Sequence, residues 1–270
     1  NGHLASGSWN DSIKIWNPND GSLIRTLDAN TYFVVSLTAL SNGHLASGSY
    51  DDSIKLWNPE DGSLIRKLTG QSGTISSLAV LSNGNLASGS WDRSINLWNP
   101  EEGSLIRILN GHTNYVTSLT VLLNGHLASG SYDDSIKIWN PEDGSLMRTL
   151  TGHNDTVSSL AVLLNGYLAS GSWDRSINLW NPEEGSLIRI LNGHTNYVTS
   201  LTVLLNGHLA SGSYDDSIKI WNPEDGSLMR TLTGHNDTVS SLAVLLNGYL
   251  ASGSWDRSIN LWNPEEGSLI

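Results

Sequence analysis

The sequence predicts an all-β chain, a seven-bladed β-propeller of four-stranded antiparallel blades, and three observations carry that prediction. The dipeptide Asn-Gly recurs at positions 1, 42, 83, 124, 165, 206 and 247, a constant period of 41 residues across all 270. Each period holds four short runs with strand composition, as at 118–122 (SLTVL), 127–132 (LASGSY), 135–139 (SIKIW) and 145–150 (SLMRTL), divided by turn residues. One such sheet cannot bury its faces alone, whereas a set of them packed face to face can, and four strands in about 40 to 45 residues is the size of a propeller blade. Residues 1–270 therefore read as a single domain of seven units starting at those positions, the last one incomplete.

Each element has its reason. Between the first and second runs, Asn124-Gly125 is expected to supply a pair of positive-φ residues for a tight hairpin. The second run is small-residued at Ala128, Ser129, Gly130 and Ser131, as suits a strand covered closely on both faces, while Ile136, Ile138 and Trp139 of the third run fill wider gaps. Asn140-Pro141-Glu142-Asp143-Gly144 then suits a type I turn closed by glycine, leading into the fourth run. A longer period is superimposed: residues 102–188 are identical to residues 184–270, so a pair of blades was duplicated, and Tyr-Asp-Asp alternates with Trp-Asp-Arg. The segments at 28–34 and 69–74 have diverged, which reads as natural amplification of an older repeat.

Composition narrows the function. A formal charge of −12 argues against sequence-independent nucleic-acid binding and against anionic lipid, both of which depend on clustered Lys and Arg. No apolar run approaches the roughly 18 residues of a membrane span, so no membrane insertion is expected. With zero cysteines, thiol and disulfide chemistry drops out, and the compartment stays open, with the cell interior favoured. The only methionines are Met147 and Met229, so the chain is expected to be a processed or cropped piece of something longer.

Gly152-His153, then Ser170-Gly171-Ser172-Trp173-Asp174, then Trp180 stand in the order and approximate spacing of WD-repeat propellers, and the whole chain resembles that family. The resemblance implies a buried hydrogen-bonded network of His153, Ser170, Asp174 and Trp180 in one blade. It implies matching sets at His112, Ser129, Asp133 and Trp139; at His194, Ser211, Asp215 and Trp221; and at His235, Ser252, Asp256 and Trp262. Three units depart: Gln71 and Asn30 replace the histidine, and Asn10 replaces the aspartate before Trp16. Broken networks leave buried polar groups unpaired, so the amino-terminal side is expected to be less rigid. The family's closing Trp-Asp is Trp-Asn here, as at Trp139-Asn140, at a loop position that leaves the fold assignment intact.

The chain starts in a second strand and stops at the start of a fourth, so the first blade lacks its innermost strand. The native chain is expected to continue past Ile270 and close the ring by pairing with blade one; failing that, the unpaired edge predicts self-association by strand donation.

No catalytic set stands out, and neither a cofactor nor a metal site is expected. The acidic Pro-Glu-Asp-Gly and Pro-Glu-Glu-Gly loops lack alternating calcium ligands, and the repeated histidines sit where the family keeps structural ones. The dyads Asp51-Asp52, Asp133-Asp134 and Asp215-Asp216 read as one network aspartate plus one partner for Arg93, Arg175 or Arg257 of a neighbouring blade. The functional signal is the residue before the network aspartate: Trp9, Tyr50, Trp91, Tyr132, Trp173, Tyr214 and Trp255 are aromatic in every unit. Phe33, Tyr115 and Tyr197 open first strands nearby, and the resemblance places both sets on the narrow top face. Such rings suit hot spots for a protein or peptide partner, or inter-blade packing. The sequence thus points to a non-catalytic interaction or scaffolding propeller, with a multivalent lectin or a strand-exchanging filament subunit as alternatives.

Overall fold

A computed structural model describes residues 2–9, 11–28 and 32–270. The described residues form strands and turns, and no helix among them is long and apolar enough to cross a membrane. The fold class is the β-propeller, with seven antiparallel sheets as its blades: the first has three strands and the other six have four. Two compact units divide the chain, Asn1–Ser129 with Trp139–Met147 and Gly130–Ile138 with Arg148–Ile270.

In the first unit, the first sheet is Leu4–Gly7, Ser12–Trp16 and Leu23–Asp28. The second is Val34–Ala39, Leu45–Ser49, Ile54–Trp57 and Leu64–Leu68, and the third Ile75–Val80, Leu86–Ser90, Ile95–Asn99 and Ser104–Leu109. In the second unit, the fifth sheet is Val157–Val162, Leu168–Ser172, Ile177–Asn181 and Ser186–Leu191. The sixth is Val198–Val203, Leu209–Ser213, Ile218–Trp221 and Leu228–Leu232, and the seventh Val239–Val244, Leu250–Ser254, Ile259–Asn263 and Ser268–Leu269. The fourth sheet, Val116–Val121, Leu127–Ser131, Ser135–Trp139 and Leu146–Thr151, has residues of both units. Its first strand starts at Val116, two residues earlier than the sequence reading placed it.

The fold follows from the gradient of side-chain size. The second strands of the second to sixth sheets are buried along their whole length, and Gly171 shows why they must be small: a Cβ there would lie 2.6 Å from Val198 Cγ1 of the next sheet. Third strands fill the wider gap, as where Trp221 packs onto Ala161, Ala169, Ile177 and Val198. Trp262 does the same against Ala210, Ile218 and Val239. Fourth strands are largely exposed except for their last leucine, such as Leu191 or Leu232. Hydroxyls sew neighbouring sheets together at the first strands: Ser158 Oγ donates to Val198 O at 2.5 Å, and Ser159 Oγ accepts from Leu201 N at 2.9 Å.

Two turn expectations need correction. The Asn-Gly hairpin has only its glycine at positive φ, +84° at Gly125, so it is a type I turn followed by a left-handed glycine. Gly125 N donates to Leu122 O at 2.9 Å, and Asn124 earns its place through its side chain, which accepts from His126 N at 3.1 Å. The loop after the third strand does close on glycine, but its bond runs from Gly144 N to Asn140 O, one residue longer than a type I turn. In the same region Arg148 donates to the carbonyls of Glu184 and Glu183 at 3.0 and 2.6 Å, a clasp between the fourth strand and the next repeat's loop.

Candidate interaction surface

The tight turn from second to third strand presents the aromatic series, and its own hydrogen bonds dictate its shape. In the fifth sheet Ser172 Oγ accepts from Asp174 N at 3.0 Å, Arg175 N donates to Ser172 O at 3.1 Å, and Asp174 Oδ1 accepts from both Ser176 N and Ser176 Oγ, at 2.9 and 2.6 Å. Trp173 N is tied to Thr156 O at 3.0 Å, which points the backbone inward and leaves the indole at the surface.

A buried chain of polar groups holds this turn from beneath. Trp180 Nε1 donates to Ser170 Oγ at 2.8 Å, Ser170 Oγ lies 2.7 Å from His153 Nε2, and His153 Nδ1 lies 2.8 Å from Asp174 Oδ2. Because a carboxylate only accepts, Nδ1 carries a proton, and in the tautomer that leaves Nε2 bare this nitrogen accepts from the serine hydroxyl. The same distances recur at His194, Ser211, Asp215 and Trp221, and at His235, Ser252, Asp256 and Trp262. In the fourth blade His112 Nε2 lies 2.7 Å from Ser129 Oγ, which accepts from Trp139 Nε1 at 2.8 Å, and Asp133 Oδ1 accepts from Ser135 Oγ at 2.6 Å.

The carboxyls of Asp174, Asp215 and Asp256 are strongly acidic. Burial opposes ionisation of Asp174, but hydrogen bonds from His153, Ser176 and the Asn154 backbone outweigh it and hold the carboxyl far below the usual range. Asp215 and Asp256 are driven the same way against their own burial, by His194 and Ser217 and by Ser258 and His235. The opposite holds at Asp134, where burial and then the charges of Asp155, Asp133 and Asp174 raise the pKa.

The blade with Gln71 differs from expectation. Gln71 Oε1 accepts from Ser88 Oγ at 2.5 Å and its Nε2 donates to Ser94 O at 3.2 Å, so the buried amide is satisfied and Trp98 keeps its bond to Ser88 at 2.8 Å. What is missing among the described residues is a bond from this side chain to Asp92, whose Oδ2 accepts instead from Ser72 N at 3.1 Å. The departures at Asn30 and Asn10 lie outside the described residues.

The expected Asp–Arg ion pairs do not form. Among the described residues none joins Asp52, Asp134 or Asp216 to Arg93, Arg175 or Arg257; the position has another task. Every residue there is left-handed, from Asp134 at φ +63° to Arg93 at φ +76°, because the three-residue hairpin loop is a type I turn closed by Arg175 N donating to Ser172 O, and the residue after such a turn must be left-handed to re-enter the sheet. Asp tolerates this conformation and Arg tolerates it poorly.

The aromatics form one contiguous row in each unit. In the first, Trp9 stacks on Phe33 (5.3 Å between ring centres), Phe33 meets Tyr50 edge-on (5.9 Å), Tyr50 meets Trp91 (5.6 Å), and Trp91 stacks on Tyr115 (5.3 Å). In the second, Tyr132 meets Trp173 edge-on (5.0 Å), Trp173 stacks on Tyr197 (5.2 Å), Tyr197 meets Tyr214 (5.6 Å), and Tyr214 meets Trp255 (5.2 Å). All ten rings stay open to solvent in part: Trp9 is 65% exposed and Tyr50 46%, while Trp91, Tyr132, Trp173, Tyr197 and Tyr214 are half-buried. The rings thus pack across blades and still leave part of their surface exposed. Among the described residues no three His, Asp or Glu side chains converge on a metal-sized site.

The profile of the WD domain, G-beta repeat family matches residues 21–58, 62–99, 103–140, 144–181, 185–222 and 226–263. The chain belongs to the WD-repeat family. No curated protein matches it significantly. Each matched segment of this WD-repeat protein begins just before the last strand of one sheet and ends at or just past the third strand of the next, as 185–222 runs from Ser186–Leu191 through Ile218–Trp221. The covalent repeat therefore staples two sheets together. WD-repeat propellers are generally non-catalytic and typically serve as protein-interaction scaffolds.

Proposed function

We propose that the chain binds a peptide or protein segment along its aromatic row and performs no catalysis of its own. The observation that carries this reading is the continuous row itself, five mutually packed, part-exposed rings in each unit, fixed from below by the Trp–Ser–His–Asp chain. Rings already held by their neighbours lose little side-chain entropy on binding, and Trp and Tyr combine large contact area with a hydrogen-bonding tip. A sugar-stacking platform needs a free ring face, and Trp173 has one face covered by Tyr197 at an interplanar angle of 10°. The acidity of the chain directs the preference toward basic partners.

The test is selection from a random peptide display library on the intact chain, followed by titration of the selected peptides against a Trp173→Ala/Tyr197→Ala variant. The reading expects enriched sequences whose binding weakens by about tenfold or more in the variant. Failure to enrich any peptide, or equal binding by the variant, refutes it; saturable binding on a glycan array at the same rings replaces it with the lectin reading.

A further inference from the structure

A second surface lies at the opposite end of the same sheets. The second strand Leu168–Ser172 runs from the Asn-Gly hairpin at one end to Trp173 at the other, so the hairpin tips and the aromatic row occupy opposite ends. At the hairpin tips of the second unit stand Leu164, Leu205 and Leu246, which are 68%, 65% and 86% exposed. The turn does not ask for leucine: Ser41 and Ser82 fill the same position, and the closing bond is 3.0 Å for Gly43 N to Leu40 O and 2.9 Å for Gly166 N to Leu163 O. Exposed leucine here brings no folding benefit that serine lacks. Successive tips also touch, since a Cβ built on Gly207 would lie 3.2 Å from Leu164 Cδ1 and one on Gly248 3.6 Å from Leu205 Cδ1.

The loops that share this end are acidic. They follow third strands, which run antiparallel to the second, and carry Glu183, Glu184, Glu224, Asp225, Glu265 and Glu266, all exposed. The nearby arginines are spent on backbone: Arg230 donates to Glu266 O at 2.9 Å and Glu265 O at 2.7 Å, and Arg189 to Glu224 O at 3.2 Å. Among the described residues no cation forms an ion pair with any of these six carboxylates. Hairpin and loop border one groove, lined by Asn206, His208, Met229, Arg230, Pro264 and Glu265.

We infer that the leucine tips and the acidic loops of the second unit form a docking surface for a basic amphipathic segment of a partner protein. Apolar side chains of such a segment cover the leucines, and its Lys and Arg meet carboxylates that are in no ion pair among the described residues. A second copy of this chain is disfavoured as occupant because it brings the same acidic loops to the contact.

The probes are two synthetic amphipathic peptides, one of leucine and lysine and one of leucine and glutamate, titrated against the intact chain and a Leu164→Ser/Leu205→Ser/Leu246→Ser variant. Serine at this position already occurs in two repeats, so the variant folds. The inference expects the lysine peptide alone to bind, more weakly as salt rises, and about tenfold or more weakly to the triple variant, with Trp173→Ala/Tyr197→Ala unchanged. Equal binding of both peptides, or undiminished binding by the triple variant, overturns it. A self-associated chain that becomes monomeric in the triple variant also overturns it, in favour of a second copy. Loss confined to the aromatic variant overturns it too, and leaves the aromatic-row reading standing.

Discussion

Ser170→Ala removes one hydroxyl that two buried groups share. Ser170 is fully buried; its Oγ accepts from Trp180 Nε1 at 2.8 Å and lies 2.7 Å from His153 Nε2. Alanine leaves the indole N–H and the imidazole nitrogen without a partner in a site closed to solvent. Each orphaned buried group costs about 1–3 kcal/mol, so the expected destabilisation is roughly 2–6 kcal/mol, far above the cost of a lost methyl-sized contact. Ser88→Ala is the internal comparison. It orphans Trp98 Nε1 equally, but its other partner is the Gln71 amide, which keeps its bond to Ser94 and has free torsions to re-aim its oxygen. The loss there is expected to be about half as large, near the cost of one orphan. Urea unfolding with tryptophan fluorescence reads both as shifts in midpoint at constant slope. A loss below about 1 kcal/mol for Ser170→Ala, or equal losses for the two variants, refutes the shared-hydroxyl reasoning.

Three further outcomes follow from the same geometry. Gly171→Ala places a Cβ 2.6 Å from Val198 Cγ1 and is expected to cost about 1–3 kcal/mol by overpacking, read as a drop in urea midpoint. Arg175→Asn relieves a left-handed arginine at φ +74° and is expected to stabilise by about 1 kcal/mol, read as a rise in melting temperature; Arg93 and Arg257 are expected to behave alike. For Asp174, Asp215 and Asp256 the folded-state pKa is depressed, so their stabilisation is present above the unfolded value near 3.8 and is lost as pH falls below it. Three protons taken up on unfolding steepen the acid limb by up to about 4 kcal/mol per pH unit, and Asp174→Asn is expected to flatten it by about a third in acid titrations followed by fluorescence.

Sequence legibility followed how much a residue's role depends on its own chemistry. The 41-residue period and the four runs within it carry the blade count, and the glycine of the second strand announces a close approach that Val198 makes concrete. The turn residue after the network aspartate was misread because Asp and Arg alternate there, and opposite charges at equivalent places suggest pairing. Its real constraint is a backbone dihedral, which charge does not reveal and which only the shared three-residue loop length hints at. Gln71 was read as a broken network because the imidazole geometry was assumed, whereas an amide offers both a donor and an acceptor and bridges Ser88 and Ser94 by itself. The stacking of Tyr197 on Trp173 joins residues 24 positions apart through sheet geometry, so sequence showed two sets of rings but not that they form one row. The leucines at the hairpin tips were visible as a change from Ser41 and Ser82, but their meaning required knowing that the turn closes identically with either residue.

The central claim concerns which tryptophans meet a partner. The chain has 11, four in the aromatic row (Trp9, Trp91, Trp173 and Trp255) and seven at the ends of third strands (Trp16, Trp57, Trp98, Trp139, Trp180, Trp221 and Trp262). Replacing them all with 5-fluorotryptophan gives each a separate fluorine resonance, assigned by single substitutions. On addition of a display-selected peptide, the account predicts shifts among the four row resonances while the seven others stay fixed. Binding that leaves those four unmoved, or that moves the third-strand set instead, contradicts it.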